Sequence, residues 1–415
     1  MSDFYDALET RSPEQREADF MASLSRQIAH AQQRSSAFAE ILKGVDASRI
    51  TSRAALATLP VTRKSELLER QAAQRPGQIF GGFNAIDPGH DMPRLFASPG
   101  PIYEPESRRP DYWRMARSMY AAGFRAGELV HNCFSYHFVP AGSMMESGAH
   151  ALGCTVFAGG TGQTEQQVQA MADLRPAGYV GTPSFLKIIV EKSLEMGLPI
   201  PSVTKAMVSG EAFPPSLRDW LAERGIAGYQ CYATADLGLI AYETEAREGL
   251  VLDEQVIVEI VRPGTGDPVA PGEVGELVIT TFNPDYPLIR FGTGDLSAVL
   301  PGQCPTGRTN ARIKGWMGRA DQTTKVRGMF VHPGQIADVV RRFPQVERAR
   351  LVVTGEMAND QMQLLVETRE TSPGLSQQLS DAVREVTKLR GDVQMVLPGT
   401  LPNDGKVIED ARSYK

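Results

Sequence analysis

A chain of 415 residues with 42% hydrophobic and 22% charged residues has the composition of an ordinary globular protein, and its length exceeds what one hydrophobic core usually supports, so two domains are expected. A formal charge of −6 excludes general attraction to nucleic acid or to anionic lipid, both of which need a basic face, and points to small-molecule partners. Four scattered cysteines without a CxxC pair exclude a disulfide framework and a cysteine zinc site, and the acidic start "MSDFYDALETRSPEQREADF" is no signal peptide, so the cytoplasm is the expected compartment.

Apolar residues recur at helical spacing over residues 13–42, and short helices are expected around "SRAALATLP" and "TRKSELLER". "RPDYWRMARSMYAAG" predicts a further helix. Apolar strands then alternate with amphipathic helices: "LVHNCF", "SMMESGAHALG", "CTVFAG", "TEQQVQAMADL", "YVGT", "PSFLKIIVEKSLEMG", "KAMVSG" and "PSLRDWLAERG". That alternation implies parallel pairing in an open, doubly wound sheet. Thr164 and Gln167 have the spacing of a capping box. "AGGTG" before it lacks the third glycine of a dinucleotide loop and reads as a turn. Beyond residue 250 "QVIVEIVRPGTGDPVAPGEVGELVIT" predicts a hairpin or small barrel, and residues 319–415 order their strands and helices as a small α+β domain.

Four segments carry the polar chemistry: "YQCYATAD" (229–236), "YPLIRFGTGDL" (286–296), "GRADQTTKVRGMFVHPGQIADVV" (318–340) and "LPNDGKVIED" (401–410). With "AAGFRAGELVHNCFSYHF", "GCTVFAGG", "GTPSF" and "VSGEAF" in the same order, they make most of the chain resemble the adenylate-forming superfamily, and within it the phenylacetate–coenzyme A ligase family.

That resemblance implies a role for each segment. In the first, Tyr232 and Ala233 border the nucleotide and Asp236 holds Mg²⁺ against the ATP phosphates, a task for a hard oxygen ligand. Asp236 is one methylene shorter than the family's usual glutamate, and Ala233 and Ala235 replace its glycine and hydroxyl residue. In the second, Asp295 accepts hydrogen bonds from both ribose hydroxyls. The third opens a mobile domain: Arg319 reaches ribose or phosphate, Asp321 is the hinge between two reaction steps, and Arg327 and Gly328 border the pantetheine tunnel of coenzyme A. In the fourth, Lys406 bridges the carboxylate and the α-phosphate as charge builds. Ser209, Gly210, Glu211 and Ala212 are the implied adenine strip, and Tyr136 the implied wall of the acyl pocket.

The segment "ASPGPIYEPES" (97–107) departs from the family. A Ser/Thr/Gly-rich loop ending in Gly-Lys-Pro normally wraps the β- and γ-phosphates there. Only Ser98 and Gly100 retain that chemistry, two prolines remove N–H donors, and Glu104 and Glu106 add carboxylates.

The expected fold is α/β: a large domain over residues 1–318 with doubly wound mixed sheets and a small β-rich subdomain, then a small mobile α+β domain over 319–415. The expected function is ATP-dependent activation of an aryl or small carboxylic acid as acyl-adenylate, followed by transfer to coenzyme A, with ATP/AMP, Mg²⁺ and coenzyme A as cofactors and a homodimer as a compatible assembly. Two alternatives stand beside it: an enzyme performing only the thioester half-reaction, and a non-catalytic relative that binds a nucleotide or an aryl acid.

Overall fold

The computed structural model describes residues 3–99, 101–318, 320, 322, 324–327, 329–355, 360–370 and 372–412. The chain forms two compact units. One comprises Met1–Val258, Ile279–Phe291 and Leu300–Trp316, the other Glu259–Val278, Gly292–Val299 and Met317–Lys415.

In the first unit the strands Thr155–Ala158, Leu129–Asn132, Gly178–Gly181, Lys205–Val208 and Ala227–Thr234 lie side by side in that order, all parallel, within a nine-stranded sheet. Gly238–Glu243 then adds antiparallel to Ala227–Thr234. Both faces of the central strands Leu129–Asn132, Gly178–Gly181 and Lys205–Val208 are buried. Val130, Val180 and Met207 meet Met115, Met119, Met144 and Met145 on one side, while Tyr179, Ala206 and Val208 meet Val168, Leu186, Ile189 and Leu221 on the other. Alternate residues thus feed two apolar layers, the doubly wound arrangement that the strand–helix alternation predicts.

Two local expectations fail for identifiable reasons. The helix expected over "RPDYWRMARSMYAAG" spans only Met115–Ala121, because the Asp111 carboxylate accepts the N–H groups of Met115 and Ala116 (2.8 and 3.0 Å) and starts the helix there. Asp111 and Arg114 stand at φ 47° and 62°, and the unwound turn buries Tyr112 and Trp113 edge to face. Nor do Thr164 and Gln167 form a capping box. The helix Thr164–Leu174 has Gln163 as its N-cap, and the Gln167 amide instead donates to the carbonyls of Gly159, Gly160 and Gly162 while its oxygen meets His131 Nε2 at 2.6 Å. The long N-terminal helical pattern is two helices, Pro13–Arg34 and Ser36–Ile41, broken where Ser35 accepts from Phe38 N–H and donates to Gly82 O.

A four-stranded sheet runs in the order Thr62–Arg63, Phe291–Ser297, Gly275–Thr281, Val256–Val261. The second unit holds the sheet Asp392–Val396, Gln361–Thr368, Val346–Thr354, Ile408–Asp410, whose central pair is antiparallel and whose outer strands are parallel to their neighbours. Its Leu351, Val353, Leu364 and Val366 pack with Leu379 and Val383 of the helix Pro373–Thr387. A hairpin, Thr324–Val326 with Met329–Val331, precedes them. This is the small α+β layer expected of the C-terminal residues.

Candidate active site

In the first unit, the strand Ala227–Thr234 ends in a turn where Leu237 N–H donates to Thr234 Oγ1 at 3.1 Å. Asp236 on that turn is buried, with 2% of its side chain exposed. One carboxylate oxygen meets Lys64 Nζ at 2.9 Å; the other, Oδ1, is buried without a hydrogen-bond partner among the described residues. Lys64 opens the helix Lys64–Gln74 and keeps 36% of its side chain in solvent. A buried, under-coordinated hard oxygen beside a half-free ammonium is a fit place for a divalent cation or a phosphate. Among the described residues no group of three or more acidic, histidine or cysteine side chains is placed to hold a metal, so a bound Mg²⁺ would draw its other ligands from nucleotide and water. The family motif locates Asp236. Lys64 was not legible as its partner, because 172 residues separate the two.

The short phosphate-loop segment is a tight antiparallel hairpin, Arg94–Ser98 against Ile102–Glu106, with Ser98 opposite Ile102. Its carboxylates do not face outward toward phosphates. Glu104 is fully buried, and Ser98 gives it both its hydroxyl (2.5 Å) and its N–H (3.2 Å). Burial, reinforced by the nearby Asp236 charge, pushes the Glu104 carboxyl up to about 8 against the opposing Ser98 bonds and Lys64. Glu106 accepts from Trp113 Nε1 (2.7 Å), Ser143 Oγ (2.5 Å) and Arg94 Nη1 (3.1 Å). The expectation that Glu104 and Glu106 add two carboxylates at the phosphates is corrected: burial keeps the Glu104 carboxyl protonated at neutral pH and Glu106 is tied into the core. Ser98 is correspondingly committed to Glu104, and Gly100 lies outside the described residues. Burial raises the Tyr286 phenol well above its ordinary value, with Asp236 and Glu104 adding to the effect, and its hydroxyl is buried without a partner among the described residues.

The implied adenine strip is open. Ser209 Oγ donates to Cys231 O at 2.9 Å, Gly210 takes φ +85°, and the exposed Glu211 accepts from Ser184 N–H at 2.6 Å. Ala212 is exposed and Phe213 buried behind it, leaving backbone and a small side chain available to a flat base. Tyr232 and Ala233 flank a bulge in the adjoining strand. Tyr136 is half-buried, and its hydroxyl accepts from Asn132 Nδ2 at 2.8 Å. It lines an open, largely apolar groove of about 990 Å³ with Phe96, Ser98, Tyr103 and Phe138.

In the second unit, the buried Asp295 lies in the strand Phe291–Ser297 and its N–H donates to Thr293 Oγ1 at 3.1 Å. The residues around it are laced to the segment holding Arg319: Leu296 N–H donates to Gly318 O, Met317 N–H to Leu296 O and Ala320 N–H to Gly294 O, at 2.9, 2.9 and 2.7 Å. Arg319, Asp321 and Gly328 themselves lie outside the described residues. Arg327, at φ 47° in the hairpin turn, donates its N–H to Asp360 Oδ2 (2.7 Å) and its Nε to Asp360 O (2.9 Å). Lys406 is exposed on a turn whose Gly405, at φ +72°, sits against Val274 and Leu296; a Cβ there would collide with Val274. Asp404 accepts the Lys406 N–H at 3.1 Å and pairs with Arg350, which also binds Pro402 O.

The family model of AMP-binding enzymes matches residues 112–283, and that of the AMP-binding enzyme C-terminal domain matches residues 328–411. The chain is 30% identical to the phenylacetate-coenzyme A ligase of Thermus thermophilus over 88% of its own length and 84% of that protein. To the phenylacetate-coenzyme A ligase of Aromatoleum evansii it is 32% identical over 73% of its length and 70% of the relative. Among solved structures, an open conformation of 2-hydroxyisobutyryl-CoA ligase in complex with 2-HIB-AMP and CoA superposes with a TM-score of 0.73 at 24% identity, covering 97% of this chain and 92% of that one. The last likeness carries the fold, the α/β architecture expected from the sequence.

Proposed function

We propose that this chain, which belongs to the phenylacetate–coenzyme A ligase family of AMP-binding enzymes, is an AMP-forming acid–CoA ligase for an aryl or small carboxylic acid. The substrate carboxylate attacks the α-phosphorus of ATP to give acyl-adenylate and pyrophosphate. The coenzyme A thiol then attacks the acyl carbon, releasing AMP and a proton and leaving the thioester. No side-chain nucleophile is needed, so the protein's task is positioning and charge neutralisation.

The observation that carries this reading lies in the second unit, where the strand of Asp295 is bonded to the residues on either side of Arg319 and supports through Leu296 the turn of Lys406. The strand of Asp295 thus supports both Gly405 beside Lys406 and the backbone of Gly318 and Ala320. Asp295 fixes the ribose, Arg319 reaches ribose or phosphate, and Lys406 meets the charge that develops in adenylation. Asp236 is the residue that would hold Mg²⁺, which neutralises phosphate charge when bound, and Lys64 supplies a second positive charge beside it. Ser209, Gly210, Glu211 and Ala212, with Tyr232 and Ala233, receive the adenine; Tyr136 walls the acyl pocket; Gly100 borders the phosphates, while Ser98 holds Glu104. Residues 1–318 form the large domain and 319–415 the mobile one, with Asp321 as hinge and Arg327 and Gly328 beside the pantetheine. A cytoplasmic homodimer completes the proposal; among the described residues no helix is long and apolar enough to cross a membrane.

The hairpin in place of the phosphate loop favours one second reading, an enzyme limited to the thioester half-reaction. Incubation with ATP, Mg²⁺, coenzyme A and a panel of aryl and short aliphatic acids, read by mass spectrometry, separates the two. AMP and acyl-CoA from one acid support the full ligase. Thioester from a synthetic acyl-adenylate, with no AMP from any acid, selects the half-reaction.

A further inference from the structure

Gln322 follows the hinge residue directly, and the family pattern gives it no task. Its side chain is half-buried and reaches across to the lysine turn. Nε2 donates to Gly405 O at 2.9 Å, while Oε1 accepts from Val407 N–H at 2.5 Å and Ile408 N–H at 2.8 Å. One amide therefore clamps the backbone immediately before and immediately after Lys406. Other bonds flank this turn on both arms: Arg350 holds Pro402 O and Asp404, Asp404 accepts from Lys406 N–H, and Leu351 N–H donates to Val407 O at 2.8 Å, but only Gln322 bonds both sides of Lys406 among the described residues.

We propose that Gln322 is a positioning residue for adenylation, joining the chain that leaves the hinge to the turn of Lys406 so that the two move as one piece. This rests on the reading that Lys406 serves the adenylation step. A lysine on a flexible four-carbon stem loses much of its effect as a point charge if its backbone also wanders, since displacement of about 1 Å can cost about 10²-fold in rate. Gln322 lies on the lysine's side of Asp321. Rotation at the hinge then carries the ammonium into or out of the adenylation geometry without slack.

The test measures the two half-reactions separately. Gln322→Met removes all three bonds at similar volume; Gln322→Glu keeps an acceptor for Val407 and Ile408. Acid-dependent ATP–pyrophosphate exchange should fall about 10- to 10²-fold in Gln322→Met through kcat rather than the KM for ATP, with Gln322→Glu recovering most of it. Thioester formation from synthetic acyl-adenylate and coenzyme A should change by less than about twofold. Adding Gln322→Met to Lys406→Ala should cost nothing more than Lys406→Ala alone, because the two act as a unit. Equal loss in both half-reactions, full additivity with Lys406→Ala, or unchanged exchange in a folded Gln322→Met would overturn the proposal. If Gln322→Met does not fold, Gln322→Ala takes its place: loss of exchange with thioester formation intact, and recovery in Gln322→Glu, supports the proposal, and parallel loss of both half-reactions overturns it. Unchanged exchange in Lys406→Ala itself is a separate result that removes the underlying reading, and this inference with it.

Discussion

Glu104 is the residue whose chemistry the sequence most misrepresents. The folded protein keeps its proton up to about 8, whereas an ordinary glutamate loses it near 4.5. Between those values the native state binds more protons than the unfolded chain, so this group lowers stability as pH rises through that window and contributes nothing below it. Glu104→Gln keeps a neutral acceptor for Ser98 Oγ, so its melting temperature relative to the parent should climb from pH 5 to pH 9. A difference that stays flat with pH contradicts the buried, protonated carboxyl. At Asp236, replacement by asparagine preserves an oxygen toward Lys64 but removes the charge. The Mg²⁺ concentration giving half-maximal AMP formation should then rise by about tenfold or more. An unchanged Mg²⁺ titration would remove Asp236 as the ligand. Lys406→Ala should slow acid-dependent pyrophosphate exchange by about 10²-fold or more while leaving thioester formation from a preformed adenylate near the parent rate.

At the scale of elements, the hairpin Arg94–Ser98/Ile102–Glu106 is anchored by Glu106, which satisfies Trp113 Nε1 and Ser143 Oγ in the core. Glu106→Ala strands both donors, and the expected cost is about 3 kcal/mol in chemical denaturation at unchanged m value. A loss under about 0.5 kcal/mol would show that the anchor is dispensable. The hairpin also shows how far sequence reasoning reaches. The deficit of phosphate-binding groups was legible from Pro99, Pro101 and the missing lysine. The inward turn of Glu104 and Glu106 was not, because Glu104 meets Ser98 only through the hairpin pairing and Glu106 is held by Trp113 and Ser143 from outside the hairpin. The parallel strands and flanking helices were legible from apolar periodicity. The helix start at Met115 and the Gln167 amide were not, since side-chain bonds from Asp111 and to the Gly159–Gly162 carbonyls override the local pattern. Asp295 and Lys406 stood out through motif text, while the roles of Lys64 and of Gln322, which the motif text around it leaves without a task, emerge only from distances.

For the whole molecule, the account requires a ligase that alternates between two reactions by turning residues 319–415 about Asp321. Restricting that hinge with Asp321→Pro should spare acid-dependent pyrophosphate exchange and abolish thioester release, a division of effect opposite to that of Lys406→Ala. The central claim is that a chain with a tight hairpin where its family has a phosphate loop still performs adenylation. The most direct measurement is acid-dependent exchange of labelled pyrophosphate into ATP, with Mg²⁺ present and coenzyme A absent. The account predicts exchange with at least one aryl or short-chain acid, lost without the acid and lost in Lys406→Ala. No exchange with any acid, from protein that still converts synthetic acyl-adenylate to thioester, would contradict it.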